Sequence, residues 1–331
     1  MIKIGMIGCG GVSQLHLNAI HAFKDRCVLV SAFDQDFSRA KDFAAKTTSP
    51  VLAVETIDDM LNQDLDAIII GVPNRFHAMY ATMAAERGLA VLCEKPAADS
   101  ADGAYMMMET AERTGVVNMI SFENRYRTGI QKLLYLVNSG ALGQIFAYRE
   151  ICTGGRLVNP SIGMEWRMLD TMSGGGAVAD FGSHSLDMST WLLEPQCGPL
   201  VHLHGSLGTF VARDGVYPTN DDIAIITGRF ASGALLSIMD SRIGPGTYQV
   251  EVLSAKAHVL YDARQSTEIT VNWYQNDHPE VEWPEIPETD PFITQLDKFL
   301  SAIETHQSVQ PDFRTAYKVQ RFIESIRQSA F

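Results

Sequence analysis

The chain opens with a short apolar strand that breaks directly into glycines. Ile2–Ile7 is apolar and rich in β-branched residues, the composition of a strand buried on both faces. It runs into Gly8-Cys9-Gly10-Gly11-Val12-Ser13, and an amphipathic stretch with Val12, Leu15, Ile20 and Phe23 follows. A strand that turns so abruptly into a helix restricts the fold severely. The helix must pack back on the strand, and the next strand must enter the same sheet in parallel.

The alternation continues for the first third of the chain. Cys27–Asp34 reads as a second strand, Phe37–Lys46 as a helix, and Ile57–Asn62 as a short helix capped by Thr56. Leu65–Val72 is a strand apolar on both faces, Phe76–Arg87 a helix closed by Gly88, Ala90–Cys93 a strand, Asp99–Thr114 a helix and Val116–Ile120 a strand. This predicts a doubly wound parallel sheet of Rossmann type over residues 1–122. After about Glu123 the pattern changes. Helices are predicted at Ile130–Ser139 and Ala177–Leu193 and a strand at Ile145–Thr153. Long strand-like runs follow: Val201–Phe210, Ile223–Phe230, Ala234–Asp240, Tyr248–Ser254, His258–Asp262 and Glu268–Tyr274. They imply an α+β domain over 123–331 with a large, open, mostly antiparallel sheet. Pro279–Pro291 reads as an extended acidic loop, and Phe292–Thr305 and Thr315–Gln328 as closing helices.

The glycine loop carries the first chemical signal. The first glycine of such a loop permits the tight turn, the second lets backbone approach a pyrophosphate, and the third position packs helix against strand. Here the third position is Ser13. The helix N-terminus offers unpaired N–H groups and partial positive charge to phosphates. The second strand ends in Asp34, whose carboxylate can accept from both ribose hydroxyls and would repel a 2′-phosphate. Strand, loop, helix and acid in this order point to a dinucleotide, NAD rather than NADP. The plainer alternative is a glycine turn without a ligand.

Composition excludes other classes. The 331 residues carry a formal net charge of −13 with no Lys/Arg-rich run, which argues against nucleic acid or an anionic membrane as partner. The cysteines Cys9, Cys27, Cys93, Cys152 and Cys197 are scattered, without a C-x-x-C pair, so neither a disulfide framework nor a cysteine metal site is expected. No metal is expected elsewhere. No stretch approaches the ~20 apolar residues of a membrane span, and the N-terminus lacks a signal peptide's apolar region. A cytoplasmic protein is expected.

Two later motifs, with what precedes them, make the chain resemble the glucose–fructose oxidoreductase / inositol dehydrogenase / MocA (Gfo/Idh/MocA) family. One is Glu94-Lys95-Pro96 after a short strand. The other is Gly174-Gly175-Gly176-Ala177 followed by Asp180-x-Gly182-x-His184-x-x-Asp187. Pro73-Asn74-Arg75-Phe76-His77 and Asn138-Ser139-Gly140-Ala141-Leu142-Gly143 add to the likeness, which covers nearly the whole chain. It implies an NAD-binding domain, then a substrate-binding domain whose open sheet joins subunits into a homodimer or homotetramer. It also implies hydride transfer between nicotinamide and a hydroxyl-bearing carbon of a sugar, cyclitol or related polyol. An NAD(P)H-dependent reductase of a keto-sugar, other small carbonyl or imine, and a non-catalytic dinucleotide-binding regulator, are the alternatives.

Hydride transfer from an alcohol requires a fixed nicotinamide, a proton acceptor and stabilisation of the developing oxyanion. Lys95 suits the last role. By the resemblance His184 is the proton acceptor, with Asp180 orienting substrate or imidazole, although the sequence leaves open whether Lys95 or His184 moves the proton. The cofactor set is then Gly8, Gly10, Gly11, Val12, Ser13, Asp34, Pro73, Asn74, His77, Glu94 and Lys95. Trp166, Arg167 and Arg125 join Lys95, Asp180 and His184 as substrate contacts. On a helix, Asp180 and His184 at i and i+4 would share a face. His16 reads as structural or exposed, and His202-x-His204 lacks a third ligand.

Overall fold

The computed structural model describes all residues except Thr48, Pro160, Asp214, Ala330 and Phe331. Pro160, in the expected substrate loop Gly154–Met168, and the last two residues of the expected second domain therefore lie outside the described residues. By its contacts the chain forms two compact units, Met1–Glu123 with Asp290–Gln320, and Asn124–Thr289 with Arg321–Phe331.

In the first unit, strands β1 (Ile2–Ile7), β2 (Cys27–Phe33), β3 (Leu52–Val54), β4 (Ala67–Ile70), β5 (Ala90–Glu94) and β6 (Asn118–Ser121) form one sheet in the order β3-β2-β1-β4-β5-β6. All its pairings are parallel. Ala67–Ile70 is wholly inaccessible to solvent, as a central parallel strand with helices on both faces must be. The helices are α1 (Gly11–Ala22), α2 (Phe37–Ala44), α3 (Ile57–Leu61), α4 (His77–Glu86) and α5 (Ala101–Thr114). Thr56 caps α3 by accepting from the Asp59 N–H, and Ser100 caps α5 by accepting from the Gly103 N–H. The predicted strands and helices appear with ends shifted by a few residues. The three-residue β3 was not predicted, since it is too short to show alternation.

The second unit holds α6 (Thr128–Asn138), β7 (Ile145–Thr153), α7 (Asp170–Ser173), α8 (Ala177–Asp180) and α9 (Gly182–Cys197). Strands β8 (Leu200–Gly208), β9 (Ile223–Phe230), β10 (Leu235–Ser241), β11 (Thr247–Ser254), β12 (Ala257–Asp262) and β13 (Ile269–Trp273) follow. Their order is β13-β12-β11-β7-β10-β9-β8. Only the β7–β10 pair is parallel, because the connection between them returns the chain in the same direction. One face of the sheet is buried under α8 and α9. The other leaves Ile225, Leu235 and Leu253 exposed on three strands.

Helices α10 (Pro291–Thr305) and α11 (Phe313–Ser329) close the chain. α10 belongs with the first unit: Phe292 meets the His16 ring edge-on at 5.2 Å, and Arg26 binds Asp297, Ser301 and Glu304. Its amphipathic pattern shows that it covers a surface, but carries no mark of which one.

The single predicted helix Ala177–Leu193 is two helices, interrupted at Phe181. Gly182 opens the second one close to the Asp240 carboxylate, and the Ser183 hydroxyl donates to the Asp180 carbonyl at 3.2 Å. α9 is anchored by a buried ion pair: Arg125 donates to both carboxylate oxygens of Asp187, at 2.7 and 2.5 Å, with its guanidinium over the Trp191 ring. Truncating one partner of such a pair leaves the other charge buried and uncompensated. Arg125→Ala is therefore expected to lose about 3–5 kcal/mol in urea unfolding. The double variant Arg125→Met, Asp187→Leu should recover much of that loss.

Candidate active site

The first unit carries its candidate residues on the ends of neighbouring strands. Gly8 has φ 92°, the left-handed region that favours glycine, and a β-carbon there would collide with the Gly71 carbonyl. Its N–H donates to the Phe33 carbonyl at 2.7 Å. Ser13 occupies the third loop position without disrupting it. It is fully buried, and its hydroxyl donates to the Gly8 carbonyl at 2.6 Å. Thus the serine braces the turn where a glycine would only permit close packing.

Gly10 and Gly11 are different. Among the described residues, nothing beyond their chain neighbours and the helix's own backbone lies within 4 Å of where their β-carbons would be. Gly10 caps the 12-residue α1 with no side chain bonded to its first turn and no acid there. Open backbone, free helix N–H groups and absent negative charge fit a pyrophosphate. Asp34 lies just past β2. One carboxylate oxygen accepts from the Cys9 N–H at 2.9 Å and the other from the Asp36 N–H at 3.0 Å. Carboxylates have about four lone-pair sites, so the acid is oriented by the loop and retains acceptor capacity for two ribose hydroxyls. The residues present fit NAD. Burial, with Asp34 alongside, pushes the Cys9 thiol up to about 12, which keeps it protonated and a spectator.

Pro73 precedes a short 3-10 turn, Asn74–Phe76, that leads into α4, and Asn74 is buried. His77 has no exposed surface. Its Nδ1 lies 2.8 Å from the Pro96 carbonyl and its Nε2 2.8 Å from the Val72 carbonyl. Burial holds its pKa below the ordinary histidine value, against the pull of those carbonyls. Glu94 ends β5 and is also buried. His16 Nε2 donates to it at 2.8 Å. Burial pushes the Glu94 carboxyl up, but the hydrogen bond and charge of His16, with Lys95 and Ser121, outweigh it and leave the pKa below the usual value. Lys95, half-buried, follows at the strand end. His16 was read from sequence as structural or exposed; it is structural, and its partner was not legible.

In the second unit the glycine run is explained by Asp221. Its carboxylate accepts from the N–H groups of Gly176 and Val178, each at 2.8 Å, and its carbonyl accepts from Ala177 at 2.9 Å. A β-carbon on Gly176 would overlap the Asp221 backbone. Asp180 and Arg167 line one cavity of about 240 Å³ with Gly154, Arg156, Leu157, Phe181 and Arg242. Arg167 lies 4.4 Å over the Trp166 ring. Its carbonyl is held by Arg242 Nη1 at 2.6 Å and Asn220 Nδ2 at 2.9 Å. Arg242 and Asn220 were not foreseen; they lie far along the chain from the motifs they support. His184 is buried in the first turn of α9, one break away from Asp180. Arg125 is buried against Asp187, so two of its donors serve the helix.

Next to His184, the Ser185 hydroxyl touches both Glu150 at 3.1 Å and Asp240 at 2.9 Å, and Tyr148 donates to Glu150 at 2.5 Å. Both acids are buried. Burial raises Glu150 to about 7 and, with Glu150 beside it, raises Asp240 well above the usual value. Among the described residues no group of three or more His, Cys, Asp or Glu side chains could hold a metal ion, and no helix is long and apolar enough to cross a membrane.

Comparison with known proteins now decides the family. The model for an oxidoreductase family with an NAD-binding Rossmann fold matches residues 2–122, and that for the GFO/IDH/MocA C-terminal domain matches residues 130–269. The chain belongs to the Gfo/Idh/MocA family of oxidoreductases. Levoglucosan dehydrogenase of Pseudarthrobacter phenanthrenivorans is 26% identical over 317 residues, covering 83% of this chain and 79% of that protein. D-glucoside 3-dehydrogenase of Escherichia coli K12 is 23% identical over 342 residues, covering 99% and 95%. A solved levoglucosan dehydrogenase in complex with NADH and levoglucosan shares the fold, with TM-score 0.87 and 22% identity over 99% of this chain and 97% of that one.

Two outcomes are expected. Asp34→Ala should weaken NAD binding more than NADP binding in a fluorescence titration, because only NAD presents both ribose hydroxyls; equal losses would count against the ribose role. Glu150 has a folded pKa near 7 against a lower unfolded one. The folded state therefore binds more protons between these values, and its contribution makes stability fall as pH rises through that window. Glu150→Gln should flatten this part of the melting-temperature profile between pH 5 and pH 8.

Proposed function

We propose that this oxidoreductase oxidises a secondary hydroxyl of a sugar, cyclitol or related polyol with NAD. The observation that carries the reading is the dinucleotide-fitted end of the first unit, with Lys95 on the next strand end but one from the glycine loop. The relatives named as dehydrogenases of levoglucosan and of D-glucosides support the substrate class. Residues 1–122 would bind the cofactor and 123–331 the substrate.

NAD, when bound, supplies the hydride acceptor. Its pyrophosphate would lie on the loop Gly8 to Ser13, with Val12 beside Gly71, its ribose on Asp34 and its nicotinamide end near Pro73, Asn74 and Lys95. The Lys95 ammonium donates a hydrogen bond to the reacting oxygen and stabilises negative charge as the carbon–hydrogen bond weakens. His184 takes the hydroxyl proton, as a neutral imidazole can near pH 7. Asp180, Arg167 and Trp166 hold the other hydroxyls, the arginine by its fork of donors and the indole by its face. Glu94, His77 and Arg125, all buried, serve the site through the groups they fix.

The open face of the second sheet, with Ile225, Leu235 and Leu253 exposed, is proposed to join two copies of the chain, since exposed apolar side chains on an uncovered sheet face favour association. Five cysteines without a disulfide among the described residues fit a reducing compartment such as the cytoplasm.

Lys95→Ala and His184→Ala are each expected to lower turnover at least about a hundredfold, the scale of a positioned acid or base. The measurement is absorbance at the dihydronicotinamide band against a panel of polyols, including levoglucosan, a methyl glucoside and myo-inositol. Near-normal rates in both variants would remove these residues from the chemistry. Tight NAD binding without turnover on any polyol would favour the regulator.

A further inference from the structure

Lys95 stands between two residues that are each tied down by a buried histidine. On one side the Glu94 carboxylate accepts from His16 Nε2 at 2.8 Å. On the other the Pro96 carbonyl lies 2.8 Å from His77 Nδ1. Both imidazoles are excluded from solvent, at 1% and 0% exposure, so neither bond competes with water. Both also start from elements that hold the glycine loop. His16 is on α1, the helix that the loop begins. The second nitrogen of His77 reaches the carbonyl of Val72, the neighbour of the Gly71 against which Gly8 packs.

We propose that His16 and His77 are the positioning residues of Lys95, registering its ammonium to the dinucleotide loop by two independent ties. The proposal rests on the reading of Lys95 as the oxyanion-stabilising group. A lysine side chain has four rotatable bonds, so its reach is set only if its own backbone is fixed. Two ties hold the residues on either side of it, one through the Glu94 side chain and one through the Pro96 carbonyl, and a displacement of about 1 Å in a catalytic group is enough to cost on the order of a hundredfold in rate. Neither imidazole touches the reacting atoms. A neutral imidazole donates from one nitrogen only, so His77 can give a full bond to Pro96 or to Val72 but not to both, and the tie that matters for Lys95 is the one to Pro96.

This predicts a pattern that loss of stability alone would not produce. An asparagine amide places its N–H near the position of Nδ1, and a glutamine amide near that of Nε2. His77→Asn should keep the tie to Pro96, and His77→Gln should keep only the tie to Val72. At position 16 the preference reverses, because His16 uses Nε2: His16→Gln should substitute and His16→Ala should not. The readout is labelling of Lys95 in the full chain by acetic anhydride at pH 9, followed by peptide mass spectrometry, with the exposed Lys46 as internal control. Labelling is expected at least threefold faster in His77→Gln and His16→Ala, and within about 1.5-fold of the parent in His77→Asn and His16→Gln.

Equal labelling rates for His77→Asn and His77→Gln, or rates that track melting temperature rather than the nitrogen retained, would overturn the proposal. Because this readout uses no turnover, it is separable from the role of Lys95 itself. A normal rate in Lys95→Ala would defeat the catalytic reading and leave the clamp standing. An inactive Lys95→Ala with no nitrogen preference at positions 16 and 77 would do the reverse.

Discussion

The first unit depends on one close approach, that of the Gly8 α-carbon to the Gly71 carbonyl. β1 and β4 are parallel neighbours, with Ile7 opposite Ile70, so their chains leave the sheet side by side. Anything larger than hydrogen at Gly8 would push them apart. Because they stay together, the loop can turn at once into α1, Ser13 can reach back to the Gly8 carbonyl, and the first N–H groups of the helix remain unclaimed by side chains. His16 sits one turn beyond Ser13 on the same helix, and so comes to Glu94. A single steric requirement thus sets the phosphate-fitted surface and one of the two supports of Lys95.

The second unit solves a different problem. Its sheet buries a face that carries Glu150 and Asp240 as well as apolar residues, beneath the helix that bears His184. Isolated buried carboxylates are strongly disfavoured. Here they share Ser185, which has one proton to give and two acids within reach. A hydroxyl so placed favours a state in which one acid keeps its proton, in line with the raised values of both. The Arg125–Asp187 pair, by contrast, matches opposite charges in a bidentate geometry, with the guanidinium covered by Trp191. The same helix is therefore held by two carboxyls that share one hydroxyl on one side and by an ion pair on the other.

How much of this was legible beforehand follows from the range over which each signal acts. Hydrophobic period marked nearly every strand and helix, because burial of a face is a local property of the pattern. It missed β3, at three residues too short to show a period, and it ran α8 and α9 together, because the break at Phe181 leaves the apolar spacing almost unaltered. The glycine loop and Asp34 were legible because their chemistry is contained in a strand–loop–helix–strand unit. The partners of His16, the clamp on Pro96, the hold of Arg242 and Asn220 on Arg167, and the pin of Asp221 on the glycine run were not. These pair residues from 19 to 78 positions apart, and no single sequence records which distant groups meet. The run Gly174–Gly176 showed that something must come close, without naming Asp221.

The strand order gives these local facts their consequence. In the sequence β3-β2-β1-β4-β5-β6, the chain winds outward from β1 in one direction and from β4 in the other. The loops beyond these two strands diverge and leave a crevice at their carboxyl ends, where ligands bind in open α/β sheets. The glycine loop follows β1, the Pro73-Asn74 turn follows β4 and the Lys95 turn follows β5, so three adjacent strand ends present open glycine backbone, turn and ammonium in one row. Parallel strands fix that row only along the sheet. Across it, the loops would be free to lean, and a lysine on a leaning loop would not meet a hydroxyl with useful precision. His77, carried on the helix that follows β4 and bonded to the Pro96 carbonyl after β5, is the side chain that closes this freedom between the second and third members of the row. His16 does the same from the helix that follows the first.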